Sequence, residues 1–181
     1  MRADAARNLD AVLQTGARLL AEDPSASISA IAAAAGVDRR TVHRRFACRE
    51  VLRDAACEAK VEAVEGVLTE ARLESAPVAV ALHRYVEGII AVIRRYPIDP
   101  EQMRCDAESY ARMLDQRKRV AAFVQRARDE GFIRLDIPDG VAEGMLSRIV
   151  SLLARQYGDH DPARAADIAV DMLLSGVGAQ G

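Results

Sequence analysis

Apolar residues recur along the chain with the spacing of amphipathic helices. In the segment from Ala5 to Glu22, Leu9 is followed three and four positions later by Val12 and Leu13. Leu19 and Leu20 follow seven positions after that pair. This spacing is close to the 3.6-residue period of a helix, so a helix is predicted there. The same reasoning predicts further helices over residues 27–36, 39–46, about 50–73, 78–96, 101–130 (one or two helices), 138–157 and 162–175.

Capping and turn residues mark the ends of these segments. Ser27 and Asp38 each carry a side-chain oxygen that can accept a free amide hydrogen bond of the next helix. Gly36 supplies a left-handed turn without strain between them. Asp99 before Pro100 predicts another helix start, because proline is favoured at the first helical position. The stretch "GFIRLDI", residues 131–137, alternates too weakly for a strand and is predicted to be a loop.

The composition agrees with an all-α protein. Half of the 181 residues are hydrophobic, only 4% are aromatic, and alanine, the best helix former, is abundant. No apolar run reaches the roughly 18 residues of a membrane span, and the N-terminus lacks the apolar core of a secretory signal. These features predict a cytoplasmic protein with no membrane partner. Cys48, Cys57 and Cys105 are then expected to be reduced thiols.

The sequence predicts neither a cofactor nor a catalytic site. No CxxC or HxxxH pair is present, so no metal ligands are assigned. There is also no glycine-rich phosphate loop and no nucleophile elbow. The protein is therefore predicted not to be an enzyme.

Positive charge is concentrated in one short stretch. The chain as a whole has a net charge of −2, yet residues 1–50 hold eight arginines against six acidic residues. The segment "GVDRRTVHRRF", residues 36–46, contains four of these arginines, and a fifth follows at Arg49 with no acidic residue in between. Two short helices joined by a tight glycine turn are typical of a helix-turn-helix. The local charge therefore favours a nucleic-acid partner.

The arginines of the second short helix are predicted to point outward. If Val42 faces the core, the 100° rotation per residue places Arg40 and Arg44 about 160° away from it on either side. Thr41 and His43 flank that outer face. A helix of this width fits the major groove of B-form DNA. The alternative is an ordinary solvated face, but such faces usually mix the signs of their charges.

Residues 9–54 resemble the DNA-binding domain of the TetR family of transcriptional regulators. The resemblance rests on "SISAIAAAAGVDRRTVHRRFACREVL", with its capped short helix, "IA", "AGV", a Thr before an aliphatic residue, and a terminal Phe. It implies an all-α fold with an N-terminal three-helix helix-turn-helix domain, residues 1–50. A larger helical effector-binding and dimerisation domain would follow, residues 51–181. His43 stands where tyrosine is usual, and Cys48 occupies the usual polar cap, so the operator sequence is not fixed by the resemblance.

The resemblance also implies roles for individual residues. Arg39, Arg40 and Arg44 are expected near base edges or adjacent phosphates. The residues expected to hold the DNA backbone are Thr41, His43, Arg45, Arg49 and Ser27.

The two closing helices carry apolar stripes that predict a homodimer interface. The candidates are Val141, Met145, Ile149, Leu152, Leu153, Ala165, Ile168, Ala169, Met172 and Leu173. These stripes could instead form the core of the monomer. The resemblance favours a four-helix bundle across a two-fold axis, because helix-turn-helix readers usually bind two half-sites as dimers.

The size of the second domain, by the same resemblance, predicts a pocket for a small-molecule effector. The middle helices offer candidate lining residues, each of which could also be plain core or surface: Tyr85, Ile89, Ile93, Met103, Tyr110, Met113, Leu114 and Phe123. The predicted function is a ligand-responsive repressor that binds a palindromic duplex operator. The alternatives are an activator of the same fold and a helical interaction module without DNA binding.

Overall fold

The computed structural model describes residues 2–99, 105–138, 140–157 and 161–177. Within these residues it contains eight helices and no strand, so the predicted all-α class is confirmed. The helices are α1 (Arg2–Glu22), α2 (Ile28–Ala34), α3 (Arg39–Arg45), α4 (Arg49–Ala71), α5 (Val78–Arg95), α6 (Ala107–Asp129), α7 (Val141–Gln156) and α8 (Pro162–Val177). The segment 131–137 is a loop, as predicted.

The starts of α6 and α7 differ from the predicted ones. Helix α6 begins at Ala107, where Asp106 accepts hydrogen bonds from the amides of Glu108 and Ser109 at 3.0 and 2.9 Å. The predicted start at Asp99–Pro100 lies partly outside the described residues. Helix α7 begins at Val141 rather than at Pro138, because Gly140 has a φ of 78° and this left-handed conformation interrupts the helical run.

The chain divides into two compact units. The first comprises Met1–Glu62 and Arg95–Ala111, and the second comprises Ala63–Arg94 and Arg112–Gly181. Helices α4 and α6 therefore each contribute residues to both units.

The first unit is built around the close approach of α1, α2 and α4. Leu52 and Ile31 are fully buried, and a methyl group added at Gly16 would lie 2.5 Å from the Leu52 side chain. Val42 and Phe46, on and just after α3, are 2% and 4% exposed. Helices of about two turns are not stable by themselves. The short helices α2 and α3 therefore depend on the packing of these few large apolar side chains.

The second unit has the larger core. It draws buried side chains from the C-terminal part of α4 and from α5 to α8, among them Leu68, Ile90, Phe123, Leu146 and Leu173. Helices α4 and α5 approach closely at Gly88, where an added methyl group would lie 2.6 Å from Val67.

Candidate nucleic-acid interface

Helix α3 is held by an N-terminal cap and by one buried residue. Its N-cap Asp38 accepts a hydrogen bond from the Thr41 amide at 3.1 Å, and Val42 packs in the core. Gly36 before it has a φ of 66°, which confirms the predicted left-handed turn. In the preceding helix, the Ser27 hydroxyl accepts from the Ala30 amide at 3.1 Å, which confirms its predicted capping role.

The remaining positions of α3 face outward. Every residue from Arg39 to Arg45 except Val42 is exposed. Among the described residues, Arg39, Arg40, Arg44 and Arg45 form no ion pair with a carboxylate. Their positive charge is therefore left available for an external anion.

Arg45 and Arg49 differ in their surroundings from the other exposed arginines. Arg45 lines a surface groove that also includes Phe46, Glu58 and Glu62. Arg49, at the start of α4, donates a hydrogen bond from its Nε to the Glu50 carboxylate at 2.9 Å. That hydrogen bond is the main reason why the pKa of Glu50 is lowered to about 2. The charge of Arg49 is therefore already partly compensated within the chain. Ser27 is exposed, with its hydroxyl engaged in the cap.

The apolar stripes of the closing helices divide between core and surface. Leu153, Ala165, Ala169 and Leu173 are at most 6% exposed within the monomer, where they pack in the core of the second unit. Val141, Leu152 and Met172 are 41–45% exposed, and Met145, Ile149 and Ile168 are half-buried. These six residues, here called the outer stripe, are the part of the predicted interface that is at least partly exposed in the monomer, although Met145, Ile149 and Ile168 also pack against the core.

The described residues among the predicted pocket residues have different surroundings. Tyr85, Ile89 and Ile93 are half-buried against the core of the second unit, and burial raises the pKa of Tyr85 to about 12. Met113 is buried, whereas Tyr110 and Leu114 are exposed. Met103 lies outside the described residues.

The described residues of the second unit enclose a wholly apolar cavity. Of the predicted pocket residues only Phe123 lines it, and the other lining residues are Val78, Leu82, Val124, Ala127, Phe132, Ile133, Ala142, Leu146, Leu173 and Leu174. Its volume of about 20 Å³ is close to the space that one water molecule needs.

The prediction of three reduced thiols is wrong for two of them. Cys57 and Cys105 form a disulfide, and their Cα atoms lie 6.1 Å apart. This distance is within the range that disulfides span, so the fold itself brings the pair together. Cys48 is free and exposed. No sequence motif predicts the pairing of two cysteines that are separated by 48 residues.

Sequence reasoning also missed a polar cluster in the first unit. Asp10 on α1 accepts hydrogen bonds from Arg95 at 2.6 Å, from the Tyr96 hydroxyl at 3.1 Å and from Gln14 at 2.7 Å. Lys60 on α4 donates to the carbonyl of Ile98. These contacts anchor residues 95–98 to α1 and α4.

No helix within the described residues is long and apolar enough to cross a bilayer.

The chain matches no protein-family model and no curated protein sequence. It does match solved structures of transcriptional regulators along nearly its whole length.

The TetR-like transcriptional regulator LfrR from Mycobacterium smegmatis, solved in complex with proflavine, is 25% identical, with a TM-score of 0.72 over 96% of this chain and 98% of that chain. The ketosteroid transcriptional regulator KstR2 of Mycobacterium tuberculosis is 16% identical, with a TM-score of 0.76 over 93% and 94%. The fatty acid degradation regulator FadR from Bacillus halodurans is 16% identical, with a TM-score of 0.65 over 93% and 95%. These likenesses show that the chain has the fold of TetR-type transcriptional regulators.

Proposed function

We propose, on the premise of this fold, that the protein is a ligand-responsive transcriptional repressor. It binds a palindromic operator in duplex DNA as a homodimer and is released by a small-molecule effector. Residues 1–50 form the DNA-binding domain, and residues 51–181 form the effector-binding and dimerisation domain. A protein with this role works in the cytoplasm, where the DNA is, and not as an enzyme.

The observation that carries this proposal is the exposed arginine surface of α3. Arg39, Arg40 and Arg44 project from a helix whose cap and apolar face are fixed, and no carboxylate among the described residues neutralises them. Guanidinium groups suit bidentate contact with guanine and with phosphate. Thr41 and His43 are exposed beside them and, in this proposal, contact the DNA backbone.

The direct test is fluorescence anisotropy of a labelled duplex taken from the DNA upstream of this protein's own gene. If each protomer neutralises roughly four phosphates, a dimer neutralises about eight, and log K falls with log salt at a slope near −7. A random duplex of equal length measures the binding that does not depend on sequence. No binding to either duplex at low salt would refute the proposal.

The homodimer is supported by the outer stripe. Val141, Met145, Ile149 and Leu152 recur at helical spacing on α7, and Ile168 and Met172 do so on α8. Apolar side chains that repeat along one accessible helical face are typical of helix–helix association. Two such pairs of helices form the predicted four-helix bundle.

Sedimentation of a Leu152→Glu variant tests this interface. A carboxylate at a 44% exposed position leaves the monomer fold intact, but it is unfavourable in a packed interface. We expect the parent protein to sediment as a dimer and the variant as a 19.6 kDa monomer. Leu135→Glu, at a 79% exposed loop residue outside the stripe, is the matched control and should remain dimeric. A dimeric Leu152→Glu protein would place the interface elsewhere.

The effector is proposed to be largely apolar. The cavity of the second unit is lined by apolar side chains only, but at about 20 Å³ it is far below the roughly 300–1,000 Å³ of a small-molecule site. An effector that binds there therefore has to enlarge it. One of the similar regulators was solved with proflavine bound, and the other two are described as a ketosteroid transcriptional regulator and a fatty acid degradation regulator. These descriptions support a small organic molecule as the effector.

A further inference from the structure

The Cys57–Cys105 disulfide joins two parts of the first unit that are distant in sequence. Cys57 lies on α4 and is fully buried, whereas Cys105 is half-buried and directly precedes Asp106, which caps α6. The bond therefore fixes the chain entering α6 onto α4. The proposed function assigns no role to it.

The setting of this bond argues for a transient disulfide rather than a permanent one. A protein that works on DNA, as proposed above, works in a compartment where glutathione and thioredoxin keep thiols reduced. Disulfides that form in such compartments in mesophilic organisms are usually catalytic or redox-sensing. The fold nevertheless holds these two cysteines with their Cα atoms 6.1 Å apart, which is suitable for bonding.

Building on the proposed function, we propose that Cys57 and Cys105 form a reversible thiol–disulfide site that responds to peroxides. Formation of the disulfide raises the affinity of the protein for its DNA. The site is thus a second input, separate from the small-molecule effector.

The chemistry begins at the more accessible sulfur. The Cys105 thiolate attacks one oxygen of the peroxide, the O–O bond breaks, and water or an alcohol leaves as Cys105 becomes a sulfenic acid. The Cys57 sulfur then attacks the Cys105 sulfur and displaces the hydroxyl group as a second water. Two electrons pass from the sulfurs to the peroxide, and the two thiol protons end in the leaving water or alcohol molecules. Two molecules of a cellular thiol such as glutathione return the pair to the reduced state by two successive exchange steps and leave joined as their own disulfide.

The position of Cys57 connects this chemistry to the arginine surface. Leu52 and Ala56, which precede it on α4, are fully buried in the core that also holds α1 and α2. Residues 95–98 are already anchored to the same unit through Asp10 and Lys60. The disulfide adds a covalent anchor and so restricts motion of α4 within the unit that carries α3. A more rigid DNA-binding unit loses less entropy when it binds, so its affinity is higher.

The test uses the full-length Cys48→Ser protein as reference, because this change removes the exposed thiol that could link two molecules. The protein is reduced with dithiothreitol, the dithiothreitol is removed, and one half of the sample is then oxidised with stoichiometric hydrogen peroxide. Differential alkylation with peptide mass mapping reports the Cys57–Cys105 bond. Anisotropy with the duplex used above reports affinity, and thermal unfolding reports stability.

We expect the oxidised protein to contain the linked peptide and to bind DNA roughly tenfold more tightly. Its Tm should rise by on the order of 10 °C, because the bond closes a loop of about 48 residues. Cys105→Ser in the same Cys48→Ser background should abolish both the gain in DNA affinity and the rise in Tm. Cys57→Ala serves as a second variant, and any misfolding caused by changing a buried residue will be evident from its reduced-state Tm.

Two results would overturn the proposal. One is that both thiols remain free after peroxide treatment, and the other is an equal or weaker DNA affinity in the oxidised protein. If neither redox state binds DNA while the linked peptide and the Tm rise are both observed, the coupling fails together with the proposed function. In that case the thiol–disulfide site itself is still demonstrated.

Discussion

Arginines on α3 and α6 have opposite surroundings. On α3, Arg40 and Arg44 are exposed and have no carboxylate partner among the described residues. On α6, Arg119 donates to Glu65 at 2.6 Å and lies 3.4 Å from Glu74. Arg126 further along α6 donates to the carbonyl of Ala76 and stacks over a neighbouring phenylalanine ring.

The contrast shows how the same residue type serves two purposes. An arginine that is paired within its own unit contributes to folding, and its charge is already compensated. An arginine without an internal partner contributes little to stability, but it keeps its full charge and its hydrogen-bond donors for an external ligand. The two classes should therefore separate when DNA affinity and stability are measured on the same variants.

The largest effect is expected from the double change Arg40→Ala and Arg44→Ala. Each arginine that reads a base contributes about 1–3 kcal/mol, so operator affinity should fall by about 2–6 kcal/mol with Tm nearly unchanged. Anisotropy and thermal unfolding measure the two quantities. The exposed Arg84→Ala on α5 removes one positive charge outside α3, and as the control it should leave both quantities unchanged. Equal losses on operator and random DNA would mean that these arginines hold only the backbone.

Close packing in the second unit provides the next test. Gly88→Ala places a methyl group 2.6 Å from Val67, whose branched side chain has little rotational freedom. We expect a loss of about 1–3 kcal/mol of unfolding free energy, measured by urea denaturation. Gly66→Ala on α4 is the matched control, because nothing lies within 4 Å of its added methyl group. It should stabilise the protein by about 0.5–1 kcal/mol, and a destabilised Gly66→Ala protein would contradict this account.

A smaller effect is expected from Arg119→Ala. The change removes the two carboxylate contacts of a side chain that is 29% exposed. Because Glu65 and Glu74 are partly solvated, the cost should be near 1 kcal/mol, or about 2–4 °C in Tm, with DNA affinity unchanged. A clear loss of DNA binding at full stability would break the separation between the two classes of arginine.

The smallest effect concerns Asp10. Partial burial works against ionisation of its carboxyl, but hydrogen bonds from Arg95, Tyr96 and Gln14 outweigh it, so the pKa lies below its usual value. A lowered pKa stabilises the folded state above the unfolded pKa of about 4, and this contribution is lost as pH falls through the folded value. The Tm difference between the parent and Asp10→Asn should thus be constant from pH 7 to pH 5 and shrink below about pH 4. A difference that grows toward acid would contradict it.

Local features of the fold were predictable from the sequence. The caps at Ser27 and Asp38 and the turn at Gly36 depend on a few adjacent residues, and the structure confirms all three. The outward direction of Arg40 and Arg44 follows from helical periodicity once Val42 is placed inside. The start of α7 was missed because a proline suggests a helix start, whereas the conformation of Gly140 decides it.

Features that depend on tertiary contacts were not predictable. The bond between Cys57 and Cys105 and the anchoring of Arg95 on Asp10 join residues 48 and 85 positions apart. Periodicity also could not divide the stripes of α7 and α8, because a buried residue such as Leu153 and an exposed one such as Leu152 have the same chemistry. Only packing separates them.

If the proposed effector binds in the small apolar cavity of the second unit, its measured affinity depends on how often that cavity is open. If only one molecule in a hundred has the cavity open, the observed Kd is about a hundred times the intrinsic value, because the effector selects that rare conformer. Trimming a lining side chain, for example by Leu82→Ala, would make the open form more common. Such a variant should respond to lower effector concentrations than the parent, even though it makes fewer contacts with the bound molecule.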